Sequence, residues 1–328
     1  MQLPWTRTAT KFFVSALMFS LTAIHTGCGA DQAALDPFLR GLMTPYSDLN
    51  VELVSIPPNG VPAYAVYQTA KKNDVKPAVI VLHGGEAGDA DKNQPFTWYW
   101  PQELARLGYY VVCPDAWGCG AHPGVADFKA MTGATFFTKL APRVLNTADD
   151  NLKILDWLQE QPGVDGEKVA VIGISAGAVT TLATAMKSDR FSTFVAVSSL
   201  SGFLSKDWES CWLYQLQGIT DVSARSEEEV AAVKSFDAIH HLDAIARKPL
   251  LLVHGESDQL APPLFAQRLH EKLLPLYAER PDALRYAAFD AYPMPKHRAP
   301  EMIERLVTHA PSPAMTAAVM AWLENHLK

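Results

Sequence analysis

The residues best suited to chemistry are Gly173-Ile174-Ser175-Ala176-Gly177. A serine with glycine two positions away on either side can sit on a sharp turn between a strand and a helix, because the small neighbours let the two elements close on each other. The turn lifts the hydroxyl above the sheet. It also sets it beside the free N–H groups and positive dipole end of the helix, where a developing oxyanion is stabilised. Ser175 is therefore read as the nucleophile of an acyl transfer. A serine hydroxyl is a weak nucleophile at neutral pH, so it needs a base, and the base needs a carboxylate to orient it.

The run Leu250–Val253 leads into His254-Gly255-Glu256-Ser257-Asp258. Asp258 is the first choice of acid, because it ends the turn just ahead of Gln259-Leu260-Ala261-Pro262, where a helix begins; Glu256 is the second. For the base, His297 follows Asp290-Ala291-Tyr292-Pro293-Met294-Pro295-Lys296, a stretch that its two prolines keep irregular and stiff. His309, further along and near a helical stretch, stands in reserve. The oxyanion donors are read as the backbone N–H groups of Ala176 and Gly85, the latter in His83-Gly84-Gly85, where glycine allows close approach to a substrate. His83 is expected to buttress that loop. His240-His241 lacks the spacing of a metal site and is read as surface, so no metal or organic cofactor is implied.

These residues need a scaffold that brings distant segments to one edge. Short β-rich runs alternate with helical patterns, as βαβ units on a mostly parallel sheet would. Strands are expected at 51–56, 63–68, 77–82, 109–113, 168–174, 194–198, 250–253 and 284–289. The runs at 77–82 and 168–174 are continuously apolar, as befits strands covered on both faces. Helices are expected at 98–107, 149–158, 176–186, 262–277 and 312–327. Residues 203–247, with Trp208, Trp212 and Tyr214 ahead of the charged run Ser226-Glu227-Glu228-Glu229, interrupt the rhythm and read as a cap inserted after the sixth strand. Trp117, Trp208 and Trp212 could line an apolar or sugar-stacking pocket, or could serve ordinary packing.

Gly173–Gly177 on a strand–turn–helix, with Val164–Ser175 and Ala244–Gly255, resembles the α/β-hydrolase superfamily, in particular its dienelactone hydrolase, acetyl-esterase and prolyl-oligopeptidase cluster. The resemblance covers about residues 50–328. It implies an α/β fold with a mostly parallel central sheet flanked by helices. It also implies the chain order serine, acid, histidine, which sets His83 and His254 aside as bases. The second oxyanion donor then comes from the loop after the third strand, where Gly85 lies. Dienelactone hydrolases use cysteine where this chain has Ser175, which turns the expectation toward a serine esterase acting on a small-molecule carboxylic ester. A peptidase or amidase is the alternative; only about 50 residues precede the first strand, too few for the oligopeptidases' propeller. A non-catalytic binding or scaffold lipoprotein is the second alternative.

Composition narrows the partners. Of 328 residues 48% are hydrophobic and 19% charged, enough to build a full core. Acidic residues outnumber basic ones 35 to 28, for a net charge of -7. Nucleic acid, whose binders neutralise phosphates with Lys and Arg, is therefore not expected. At the N-terminus, Arg7 and Lys11 precede the apolar run Phe12–Ile24, too short to span a bilayer but suited to an export signal. Gly27-Cys28 resembles the processing box of a bacterial lipoprotein, with His25 departing from the usual aliphatic residue. The expected organisation is a signal over 1–27, a tether over 28–48 behind a lipidated Cys28, and a hydrolase domain over 49–328 with its cap at about 203–247. Such a chain would be exported and anchored in the cell envelope, or periplasmic or secreted. The remaining Cys113, Cys119 and Cys211 are read as buried small residues or as one disulfide and a spare thiol.

Overall fold

The fold is that of a computed structural model, which describes residues 48–68, 75–84, 95–122, 133–216, 218–219, 221–290 and 308–328. Cys28, Gly85, His297 and the proposed signal and tether lie outside these residues. Eight strands form one sheet: β1 (Leu49–Ile56), β2 (Val61–Gln68), β3 (Lys76–Leu82), β4 (Tyr110–Pro114), β5 (Val164–Ile174), β6 (Thr193–Val197), β7 (Leu250–Gly255) and β8 (Leu284–Phe289). Their order is β1-β2-β4-β3-β5-β6-β7-β8. Only the β1–β2 and β2–β4 pairs are antiparallel. From β4 onward every pair is parallel, so the C-terminal ends of β3, β5, β6 and β7 open on the same edge.

Helices α1 (Pro95–Arg106) and α8 (Pro313–Leu327) cover one face, and α2 (Phe136–Gln159), α3 (Ala176–Lys187) and α7 (Leu264–Leu273) the other. The sheet is apolar on both faces because β5 over 169–172, β6 over 194–197 and β7 over 250–253 carry only Val, Ile, Leu, Ala and Phe. Val171, Ala196 and Leu252 enter one core, and Ala170, Val195 and Leu251 the other. Burying a single such Val or Leu side chain contributes about 1.5–3 kcal/mol.

The eight expected strands are all present. Helix α2 is the main surprise: expected over 149–158, it runs 24 residues from Phe136 and carries Pro142 in its interior. Its buried side includes Arg143, Thr147, Asp150 and Asn151, so polar residues break the apolar periodicity that would have revealed its N-terminal half.

Residues 203–247 form short elements, chiefly α4 (Trp212–Leu216), α5 (Glu227–Phe236) and α6 (Leu242–Ile245). They pack on α2 and α3 through Phe203, Trp208, Tyr214, Val233 and Phe236. Trp208 is fully buried, lies flat on Phe265 with centroids 3.8 Å apart, and donates Nε1–H to Ser201 O at 3.2 Å. Of the two readings open for Trp208, packing holds.

Candidate active site

Ser175 sits between β5 and α3 with φ 57° and ψ -117°. A non-glycine residue at positive φ is strained by about 1–3 kcal/mol and persists only where its surroundings fix it. Here they do. Ser175 N–H donates to Val197 O on β6 at 2.9 Å, and Ser175 O accepts from Ala178 and Val179 as the helix begins. The flanking glycines are required by contact. A Cβ on Gly173 would lie 2.0 Å from Gly177 O, and one on Gly177 would lie 2.4 Å from Leu82 O. Strand β5, helix α3 and the end of β3 therefore touch through backbone alone. Ala176 N–H belongs to the first turn of α3, whose amides have no intrahelical acceptor.

Asp258 follows β7 and is buried, as are His254 and Ala261 beside it. Its Oδ1 accepts the N–H groups of Leu260 and Ala261, both at 2.9 Å. Its Oδ2 lies 2.8 Å from His309 Nδ1 and 3.4 Å from His254 Nε2. Burial raises the carboxyl pKa, but the His309 charge and the hydrogen bonds from the two imidazoles outweigh it and hold Asp258 well below the usual carboxylate range. It is a carboxylate at any ordinary pH.

The histidine on this carboxylate is His309, which the sequence had placed behind His297. Thr308 and His309 stand just ahead of α8. Three contacts seat it there. Ser198 Oγ donates to His309 O at 3.3 Å, Gln259 N–H donates to Thr308 Oγ1 at 3.2 Å, and Gly255 has its bare Cα against Thr308 O, where a Cβ would stand 2.9 Å away. With Nδ1–H given to Asp258, His309 Nε2 is left as an acceptor, and this buried nitrogen has no hydrogen-bond partner. Glu256 donates its backbone N–H to Phe289 O and takes no part in the cluster.

Ser175 and His309 are joined through the end of β6. Val197 receives the Ser175 amide, and the next residue, Ser198, also at positive φ (50°), binds His309. No pattern in the sequence marked Ser198. On the other flank of Ser175 lies the loop after β3, with a Cβ on Gly84 standing 3.7 Å from Ser175 Cβ. His83 anchors this loop, donating Nδ1–H to Gly84 O at 2.8 Å while Nε2 accepts Ala116 N–H at 3.0 Å. Burial, aided by the Arg143 charge, lowers the His83 pKa to about 4. It is a neutral strut, the buttress expected of it. Arg143, on the buried side of α2, donates to Gly84 O at 3.4 Å.

Cys113, Cys119 and Cys211 stand as thiols, and burial pushes Cys113 well above the usual thiol range. Among the described residues no group of three or more His, Cys, Asp or Glu side chains is placed to hold a metal ion.

Such a cluster can carry acyl transfer: a serine on a strained elbow, an imidazole with a bare nitrogen, and a buried carboxylate fixing its orientation. Residues 143–328 match the prolyl oligopeptidase family, and residues 63–210 match the dienelactone hydrolase family. YtaP of Bacillus subtilis, which carries the name of a hydrolase, is 28% identical over 248 residues, 70% of this chain and 76% of YtaP. The esterase YjfP of Escherichia coli is 23% identical over 215 residues, 65% of this chain and 81% of YjfP. Among solved structures, the acylaminoacyl peptidase of Pyrococcus horikoshii superposes with a TM-score of 0.59 at 19% identity, covering 88% of this chain. This chain spans only 44% of that peptidase's length. With its α/β-hydrolase sheet and a match over more than half its length, the chain belongs to the prolyl oligopeptidase family and is a hydrolase.

Proposed function

We propose that the protein is a serine hydrolase of carboxylic esters, with Ser175 as nucleophile, His309 as base and Asp258 as the orienting carboxylate. The observation that carries the reading is the bare, buried Nε2 of His309, held by the Nδ1–Asp258 bond on the strand edge that bears Ser175. His309 takes the Ser175 proton as Oγ attacks the carbonyl, then returns it to the leaving alcohol. Asp258 steadies the imidazolium between the two events. The Ala176 N–H, with Gly85 as second donor, stabilises the tetrahedral oxyanion, worth about 3–4 kcal/mol per donor. Water repeats the sequence to release the acid.

The esterase name of YjfP and the serine at position 175 favour the ester bond. The oligopeptidase match favours an amide as the second reading, since both bonds use the same acylation machinery. Residues 203–247 act as a cap over the site. The cationic start, the Phe12–Ile24 run and Gly27-Cys28 support an exported chain with a lipid on Cys28, working in the cell envelope or beyond it.

The test is turnover of p-nitrophenyl esters and matched anilides by wild type and Ser175→Ala, with a fluorophosphonate probe alongside. Ester turnover and labelling that both vanish in Ser175→Ala are expected. Unchanged turnover in that variant would sink the assignment, and faster anilide than ester turnover would establish the peptidase reading. Loss of export or of acyl labelling in Cys28→Ser would support the envelope role.

A further inference from the structure

Asp258 receives two imidazoles, and the proposed mechanism uses only one. His254 stands on β7, four residues before Asp258, with its side chain fully buried. Its Nε2 lies 2.6 Å from Ala261 O and 3.4 Å from Asp258 Oδ2. Both are acceptors, so Nε2 must carry the proton and share it between them. The other nitrogen, Nδ1, is buried without a hydrogen-bond partner. A proton there would leave a buried donor unmet, which favours the neutral Nε2–H tautomer.

The surrounding turn closes on this ring. Ala261 N–H binds Asp258 Oδ1 while Ala261 O binds His254, so one residue links the imidazole to the carboxylate from both its backbone groups. The side-chain groups acting on Asp258 are thus His309 and His254; its remaining donors are the amides of Leu260 and Ala261.

From this juxtaposition we infer that His254 is a positioning residue, whose Nε2–H shares Asp258 Oδ2 with His309 and sets the plane and the charge that the carboxylate offers to the catalytic imidazole. The inference rests on the triad proposed above. Its consequence has a definite sign. Without His254, Oδ2 loses a donor, more of its charge falls on the His309 Nδ1–H, and the imidazolium of His309 is stabilised. The acid limb of the activity profile then moves to higher pH.

The experiment compares His254→Leu, which keeps the bulk and removes the donor, with His254→Gln, which returns an N–H near the Nε2 position. Expected for Leu are an about tenfold lower kcat, as loss of one charge-assisted hydrogen bond gives, little change in KM, and an acid limb moved to higher pH. Gln should restore both. In ¹⁵N-histidine spectra the His309 Nδ1–H resonance should move in the Leu variant. An unmoved resonance and acid limb, with activity falling only in step with thermal stability, would overturn the inference. If Leu fails to fold, the wild-type spectrum decides: a neutral Nε2–H tautomer for His254 at pH 8 supports it and an Nδ1–H tautomer refutes it. Should the wild-type protein neither hydrolyse esters nor take the fluorophosphonate, the reading of Ser175 fails, while the His309 resonance still decides the role of His254.

Discussion

His309 Nδ1 and Asp258 Oδ2 lie 2.8 Å apart across 51 residues of chain, and the contact is almost fully buried on the carboxylate side. A carboxylate with that much protein over it is stable as an anion only because N–H donors surround it. Taking away the imidazole leaves a buried charge short of a partner. The pair is therefore both a device for catalysis and a clasp between β7 and the segment leading into α8.

His309→Ala should lower kcat/KM by about a thousandfold or more, as loss of a triad member does. His297→Ala should stay within about threefold of wild type, because His309 already holds Asp258 Oδ2. Steady-state kinetics on a short-chain ester separates the two, and the reverse ranking would return the base to His297.

Gly177→Ala should cost at least about 2–3 kcal/mol, the upper range for forced overpacking. Its Cβ would fall 2.4 Å from Leu82 O and 2.5 Å from His83 O, and both are backbone atoms that cannot swing aside. Chemical denaturation reads the loss. A variant as stable as wild type would mean that α3 and β3 are not in contact there.

The His83 imidazole, lowered to about 4 from its ordinary 6.5, binds its proton more readily in the unfolded chain. Its contribution to stability is complete above pH 6.5 and is lost as pH falls from about 6.5 to about 4. The full loss is about 3 kcal/mol by linkage. In His83→Asn, the pH dependence of unfolding free energy between pH 6.5 and 4 should flatten. An unchanged slope would show that His83 titrates normally.

Trp208→Ala should destabilise the protein by about 3–5 kcal/mol, the cost of emptying an aromatic site. Trp208 touches Phe203, Tyr214 and Phe265 at once. If residues 203–247 instead dock loosely, thermal unfolding will show little change and only substrate selectivity will move.

Much of this was legible in the chain. The apolar runs of β3, β5, β6 and β7 announced a sheet buried on both faces, since no other environment rewards so many consecutive Val, Ile and Leu residues. Gly173, Ser175 and Gly177 announced the elbow, because its steric requirements are local: bare Cα atoms at two positions and a helix start between them. Asp258 was legible for the same reason, ending the turn between β7 and the next helix. The N-terminal half of α2 was not. Arg143, Asp150 and Asn151 are buried by partners remote in sequence, and periodicity counts them as exposed.

The choice of histidine could be made only in three dimensions. His297 and His309 both follow the last strand in the sequence, and spacing alone does not say which imidazole meets the carboxylate. What decides is long-range contact: Gly255 bare against Thr308, Ser198 bound to the His309 carbonyl, and Asp258 Oδ2 within reach of one ring nitrogen. The sequence by itself determined the sheet, the elbow and its serine, because those follow from the steric and hydrophobic character of neighbouring residues. Tertiary structure alone decided which imidazole meets the carboxylate and that a second one, His254, shares it. Both depend on the ends of β6 and β7 lying side by side in the sheet.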